Sequence, residues 1–312
     1  MATGSTFAAM KNSFTGRLRL SLIGMTTAAA AVLGLGATLV APAAVAEPAL
    51  ATATRIELQG AVNVRDIGGY WTYDGSKTKS GKVIRSDALG KLTDADVAKL
   101  GTLNLKQVID LRTPAEVQGL GADRLPPGVP LVARPIDDTG LFVKMFEAIS
   151  SRDPVKQEEL LGGGKAEQIM GDVYRSFFSA DSLAKFGQTI KDLAATDKAT
   201  LVHCTAGKDR TGWLTYVTLR AVGVPESLAR KDYLLSNQYR AASDAALREQ
   251  LKQAGVMENP DLLIPLQEVR DAYLDIALQT MEQKYGDFGK FLTNGLGLDP
   301  MTIVKLRKNL VD

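Results

Sequence analysis

"ATLVHCTAGKDRTGWLTYVTLRAVG", Ala199 to Gly223, changes character twice within 25 residues. The run "ATLVHC" is apolar and β-prone and reads as a buried strand, whereas "TGWLTYVTLRAVG" after Arg210 reads as a helix with Leu214, Val217 and Ala221 on one face. What lies between is a strand-loop-helix junction, and it carries the chain's one histidine, His203, beside its one cysteine, Cys204. Five residues separate Cys204 from Arg210. A loop of that length can curl so that the backbone N–H groups of Thr205, Ala206, Gly207, Lys208 and Asp209 point inward, joined by the free N–H groups of the helix that follows; this makes an anion cradle. Gly207 allows the turn, and Gly212 allows close packing of the helix start.

The same positive field acts on the thiol. A cysteine facing a helix N-terminus and a guanidinium is favoured as the nucleophilic thiolate. The planar fork of Arg210 suits two oxygens of a phosphate, Thr211 can hydrogen-bond a sulfur leaving group, and His203 reads as a residue that fixes the turn. Competing readings account for less. Adjacent His and Cys with no further His or Cys make a poor zinc site. A nucleotide P-loop needs Ser or Thr after its lysine, and here Asp209 follows Lys208. A buried structural cysteine leaves Gly207, Arg210, Thr211 and Gly212 unexplained.

Upstream, short β-rich runs around Val83 to Arg85, Lys106 to Leu111, Leu131 to Ile136 and Ala199 to His203 alternate with helix-start signals. This is the pattern of an α/β domain with a mostly parallel central sheet flanked by helices. In "LTDADV", Thr93 caps a helix with Asp96 three residues on, and Leu92 is placed to staple against Val97. In "VIDLRTPAEV", Thr113, Pro114 and Glu116 form a capping box with proline at the first helical position. Asp110 and Arg112 then stand at the carboxyl end of a strand, where open α/β sheets place ligands; a surface ion pair is the equal alternative. From Pro225 onward helical patterns take over, over Pro225 to about Gln253 and Ile264 to Tyr285, giving a helical C-terminal third of the same domain.

The length of 312 residues and 45% hydrophobic content allow a full core, and 23% charged residues place the chain among ordinary globular proteins. The first 46 residues differ: three basic residues, no acidic one, an apolar stretch from Leu20 to Val40, then Ala44-Val45-Ala46. They read as a secretory signal cleaved before Glu47, with a short linker over 47–54 and one catalytic domain over 55–312. Cleavage leaves 34 basic against 35 acidic residues, a formal charge of −1, which gives no support for nucleic-acid binding and leaves no stable membrane insertion. The expected location is therefore secreted or cell-envelope. Although that setting permits disulfides, a single cysteine cannot form one within the chain.

"HCTAGKDRTG" resembles the signature of the cysteine-dependent tyrosine phosphatases, and more closely their bacterial tyrosine and lipid phosphatase branch. "NVRDIGGY" (Asn63 to Tyr70), "IRSDALGKLT" (Ile84 to Thr93), "VIDLRTPAEV" and "YLLSNQYR" (Tyr233 to Arg240) extend the resemblance over nearly all of the mature chain. It implies a phosphomonoesterase acting on phosphorylated protein or phosphoinositide, without metal or organic cofactor. In it Cys204 is the nucleophile, Arg210 the phosphate-binding residue and Asp209 the general acid. Asp137 and Asp138, at the end of a predicted strand, are the rival acids, with turn chemistry before Gly140 as their bland role. Lys208 is either charge balance for Asp209 or a cation at the rim that meets a second substrate phosphate. A non-catalytic module that binds phosphorylated ligands is the competing class. Sulfur or arsenic chemistry on such a loop is disfavoured by an Asp suited to protonating an oxygen leaving group.

Overall fold

The computed structural model describes residues 53–312. The expected signal segment and most of the expected linker lie outside them. The runs read as strands form β3 (Val83–Ser86), β4 (Leu105–Asp110), β5 (Leu131–Ala133) and β6 (Ala199–His203), preceded by two-residue strands β1 (Thr54–Arg55) and β2 (Arg65–Asp66). Their order is β1-β2-β3-β6-β4-β5, parallel from β3 to β5 and antiparallel at the β1-β2-β3 edge. The sheet edge begins just ahead of residue 55, where the catalytic domain is expected to start. Thr54 pairs with Asp66, and the Ala53 N–H donates to the Tyr70 hydroxyl at 3.0 Å. Small β-compatible residues there add an edge strand instead of remaining linker.

Period-two alternation sorts the strand residues between two cores. Ile84, Val108 and Leu201 pack on one face with Leu92, Leu100 and Val97 of α1 (Asp94–Gly101) and its approach. Val83, Ile109 and Val202 face the larger core, which holds the later helices. Both capping boxes are present: Thr93 with Asp96 starts α1, and Thr113 with Glu116 starts α2 (Pro114–Leu120). Between β5 and β6 the chain inserts α3 (Leu141–Ser151), α4 (Pro154–Leu161), α5 (Lys165–Ser176) and α6 (Ala180–Ala194). It then returns to the middle of the sheet. After β6, α7 (Arg210–Ala221) is buried on all sides from Arg210 to Leu219 instead of on one face alone. It lies between the sheet and the C-terminal helices, with Trp213 stacked on Tyr216 at 5.9 Å.

The helical C-terminal third begins with α8 (Glu226–Gln253), as expected. The second expected helix is broken: α9 (Ile264–Gln267) ends, Glu268 is extended, and α10 (Asp271–Tyr285) begins anew. Asn237 of α8 explains the break. Its side chain accepts from the Val269 N–H at 2.8 Å and donates to the Val269 carbonyl at 2.8 Å, taking both groups out of a helix ladder. Among the described residues no helix is long and apolar enough to cross a membrane.

Candidate active site

In the sheet register Ser86, His203 and Asp110 lie side by side, so the carboxyl ends of three strands meet where β6 runs into Cys204. The loop from Thr205 to Asp209 turns back over β3. The Ala88 N–H donates to the Thr205 carbonyl at 3.1 Å, and Gly207 adopts φ +65° with its Cα against the β3 backbone. A Cβ there would lie 2.3 Å from the Ser86 carbonyl oxygen, so the position accepts only glycine. Gly212 is less tight: a Cβ there would lie 3.1 Å from the Tyr233 ring. Among the described residues no acceptor takes the amide N–H groups of Thr205 to Asp209, and the buried N-terminus of α7 has no side-chain cap. Such a helix end calls for a partner from outside the chain. Cys204 is 1% exposed beside it, and the buried Thr211 hydroxyl makes no hydrogen bond. These residues are brought together as the spacing predicts.

Arg210 is held by a partner that sequence reasoning assigned only to capping. Glu116 takes the Arg210 fork on both oxygens, at 2.7 Å from Nη1 and 2.5 Å from Nη2, and also accepts from the Thr205 hydroxyl at 2.6 Å and the Thr113 N–H at 2.7 Å. One carboxylate thus ties the start of α2 to both ends of the loop. Burial pushes Glu116 up, but the Arg210 hydrogen bonds and charge, with Thr205 and Thr113, pull it down to about 2. Arg210 is correspondingly raised: burial opposes its charge and Glu116 outweighs burial.

His203 performs the expected fixing of the turn. Its Nδ1 lies 3.1 Å from the Cys204 carbonyl and its Nε2 3.0 Å from Asp123. Asp110 and Arg112 are neither of the two alternatives weighed for them. They form a buried pair at 2.8 Å that also takes in Asp123 at 2.9 Å, behind His203. Burial raises Asp123, and His203 and Arg112 together pull it below the ordinary carboxylate range. Asp110, Asp123 and His203 come close enough to ligate an ion, but the Arg112 guanidinium already faces both carboxylates, so this donor set is committed.

Around Asp209 the structure corrects one expectation. Lys208 does not stand at the rim; it is 3% exposed, with Nζ at 2.9 and 2.7 Å from the two Asp209 oxygens and 3.3 Å from the Glu268 carbonyl. Adjacent opposite charges in a confined space pair before either meets solvent. Tyr174 donates to Asp209 at 2.9 Å and shares a 2.6 Å contact with Tyr233, and burial together with the Asp209 charge pushes its hydroxyl well above the usual tyrosine range. Nothing local in the sequence announced Tyr174, 35 residues away. Asp137 and Asp138 do the turn chemistry: Asp137 accepts from the Thr139 N–H, and Asp138 from those of Gly140 and Phe142, each at 3.0 Å. Burial, then the charge of nearby Glu116, raises Asp138.

A family model described as the tyrosine phosphatase family matches residues 56–312. The chain is 29% identical over 275 residues to the triple specificity protein phosphatase PtpB of Mycobacterium tuberculosis, covering 80% of this chain and 97% of that protein. It is 30% identical over 241 residues, 76% of this chain and 82% of the other, to a Cupriavidus necator protein whose name places it with the tyrosine-protein phosphatases. A tyrosine-protein phosphatase of Nostoc commune is 32% identical over 157 residues, about half of either chain.

Proposed function

Because the chain belongs to the tyrosine phosphatase family and is a hydrolase of that class, we propose that it cleaves phosphomonoesters through a phosphocysteine intermediate formed on Cys204. The observation that carries this is the pairing of a buried, uncapped helix N-terminus with five loop N–H groups that have no acceptor among the described residues, all beside Cys204 and Arg210. In the first step the Cys204 thiolate attacks phosphorus as the P–O ester bond breaks. Asp209, protonated, gives its proton to the leaving oxygen, so that an alcohol or phenol departs. In the second, water attacks phosphorus, Asp209 takes back a proton, and the S–P bond breaks to release inorganic phosphate and the thiolate. The loop N–H groups and Arg210 hold the equatorial oxygens throughout, and the unpartnered Thr211 hydroxyl is available to the departing sulfur.

Asp209 is preferred over Asp138 because it lies within the loop between Cys204 and Arg210 and its donors are side chains that can move aside, whereas both Asp138 oxygens hold backbone N–H groups at the start of α3. Lys208 and Tyr174 both donate to Asp209, and an arriving phosphate offers Lys208 another anion.

Cys204→Ser tests the mechanism. It should abolish phosphate release from phosphotyrosine while leaving the fold intact; a variant that still turns over at the wild-type rate would overturn the phosphocysteine mechanism, whereas a wild-type protein that binds phosphotyrosine without releasing phosphate would favour the phospho-ligand module. We further propose that phosphoinositides are accepted, with Lys208 released from Asp209 to meet a second phosphate, a reading supported by the triple specificity in the name of the mycobacterial relative. Lys208→Ala should then lower kcat/KM for phosphoinositides more than for phosphotyrosine, and equal losses would remove the proposal. Export with cleavage before Glu47 is also proposed from the N-terminal sequence, and N-terminal sequencing of extracellular or envelope protein decides it.

A further inference from the structure

Three of the motifs singled out in the sequence, around Asn63, Arg85 and Tyr233 to Arg240, have no part in the chemistry above, yet they meet behind the loop, together with Asp232, which the sequence reading did not single out. Arg65 and Arg85 are both fully buried and share one carboxylate: Arg65 Nε lies 3.0 Å from Asp232 Oδ1 and Arg85 Nη1 2.5 Å from Oδ2. That clamp leaves the other end of the Arg85 fork directed at the loop, where Nη2 donates to the Gly207 carbonyl at 2.7 Å. Burial and the adjacent Arg65 pull Arg85 down only to about 10, so it remains a cation at neutral pH. Arg65 also fixes Asn63 by donating to its Oδ1 at 2.6 Å, which turns the Asn63 amide nitrogen toward the Ala206 carbonyl, 2.9 Å away. With the Ala88 N–H on Thr205, three successive carbonyls of the loop each have a donor on its outer side.

In a planar trans peptide the C=O and the following N–H point in opposite directions. A donor that holds a carbonyl outward therefore aims the next residue's N–H inward. Ala88, Asn63 and Arg85 in this way orient the N–H groups of Ala206, Gly207 and Lys208. Gly212 completes the arrangement, since a Cβ there would lie 3.2 Å from Arg85 Nη2 and crowd the fork away from Gly207.

We propose that Asn63 and Arg85 are positioning residues of the phosphate cradle, setting the direction of its N–H groups from behind through the Ala206 and Gly207 carbonyls. The proposal rests on the reading of the cradle as a phosphate site. Arg85→Lys keeps the cation but cannot span Asp232 and Gly207 with a rigid fork, and Asn63→Asp keeps the acceptor for Arg65 while facing Ala206 with an oxygen in place of a donor. KM and kcat for p-nitrophenyl phosphate, the inhibition constant for orthovanadate, and Tm are measured on the full chain. Each variant should raise KM and the vanadate constant roughly tenfold, the effect of losing one oriented contact. A purely structural role would lower Tm and the active fraction and leave both constants in place. Constants within twofold of wild type in a folded variant overturn the proposal, and Asn63→Asp decides alone should Arg85→Lys fail to fold. A wild-type protein that neither hydrolyses the ester nor binds vanadate would instead overturn the phosphatase reading itself.

Discussion

Replacing Glu116 by glutamine removes one charge from the middle of the site while keeping its shape. In the folded protein Glu116 sits at about 2 against an ordinary 4.5, a depression caused by Arg210, Thr205 and Thr113 working against burial. Each unit corresponds to about 1.4 kcal/mol, so the carboxylate contributes about 3.5 kcal/mol to stability at neutral pH, in line with the ~3–5 kcal/mol cost of breaking a buried ion pair. The sign follows from the depression: the contribution is fully present above the unfolded value and is lost as pH falls through 4.5 toward about 2. By about pH 3 less than half should remain. Urea titrations of wild type and Glu116→Gln at neutral pH and near pH 3 measure it, the difference between the two proteins cancelling the other acids. The gap should be large at neutral pH and narrow on acidification. Arg210, no longer held in its fork, should also cost about 10² in kcat/KM. A gap that is the same at both pH values, or under about 1 kcal/mol at neutral pH, would refute the assignment of the pair as a strong, charge-dependent clamp.

Asp209→Asn should slow esters with poor leaving groups by ~10²–10⁴ and those with good leaving groups much less, in a series of aryl phosphates; the same pattern in Asp138→Asn would transfer the acid role. Gly207→Ala, forced into φ +65° with its Cβ against the Ser86 carbonyl, should abolish vanadate binding and lower Tm in a thermal melt, and an unchanged binding constant would contradict the loop geometry. Tyr174→Phe removes one donor to Asp209 and should lower kcat for aryl phosphates with poor leaving groups more than for those with good ones; equal losses across the series would separate Tyr174 from the acid.

The features legible in the sequence are those whose cause is local. The central parallel strands β3 and β6 show as β-rich runs because they are buried on both faces, and the caps at Thr93 and Thr113 show because both partners lie within four residues. The loop shows because its glycine, cysteine, arginine and threonine are contiguous. What stayed hidden depends on separation. Glu116 meets Arg210 across 94 positions and Arg85 meets Asp232 across 147, and neither leaves a periodic trace. The two-residue strands β1 and β2 are too short for alternation to register. Lys208 stayed divided between charge balance and the rim because adjacency to Asp209 fixes its pairing only once Glu268 and the Tyr174 side close the space around it.

The position of β6 has a consequence for how the protein comes into being. β3 and β4 are synthesised first, but each has β6 as its neighbour, and more than 80 residues of other structure intervene before β6 is made. A chain emerging from the ribosome therefore carries two strands with a gap between them. Closing that gap is a late, non-local event of the kind that slows folding and leaves edges open to association. Because Arg85 is steadied by Asp232, the loop lacks one of its rear supports until the first turns of α8 have also been made. Turnover measured on nascent or truncated chains should accordingly appear late and abruptly, which makes catalytic activity a sensitive gauge of whether the whole chain has reached its native arrangement.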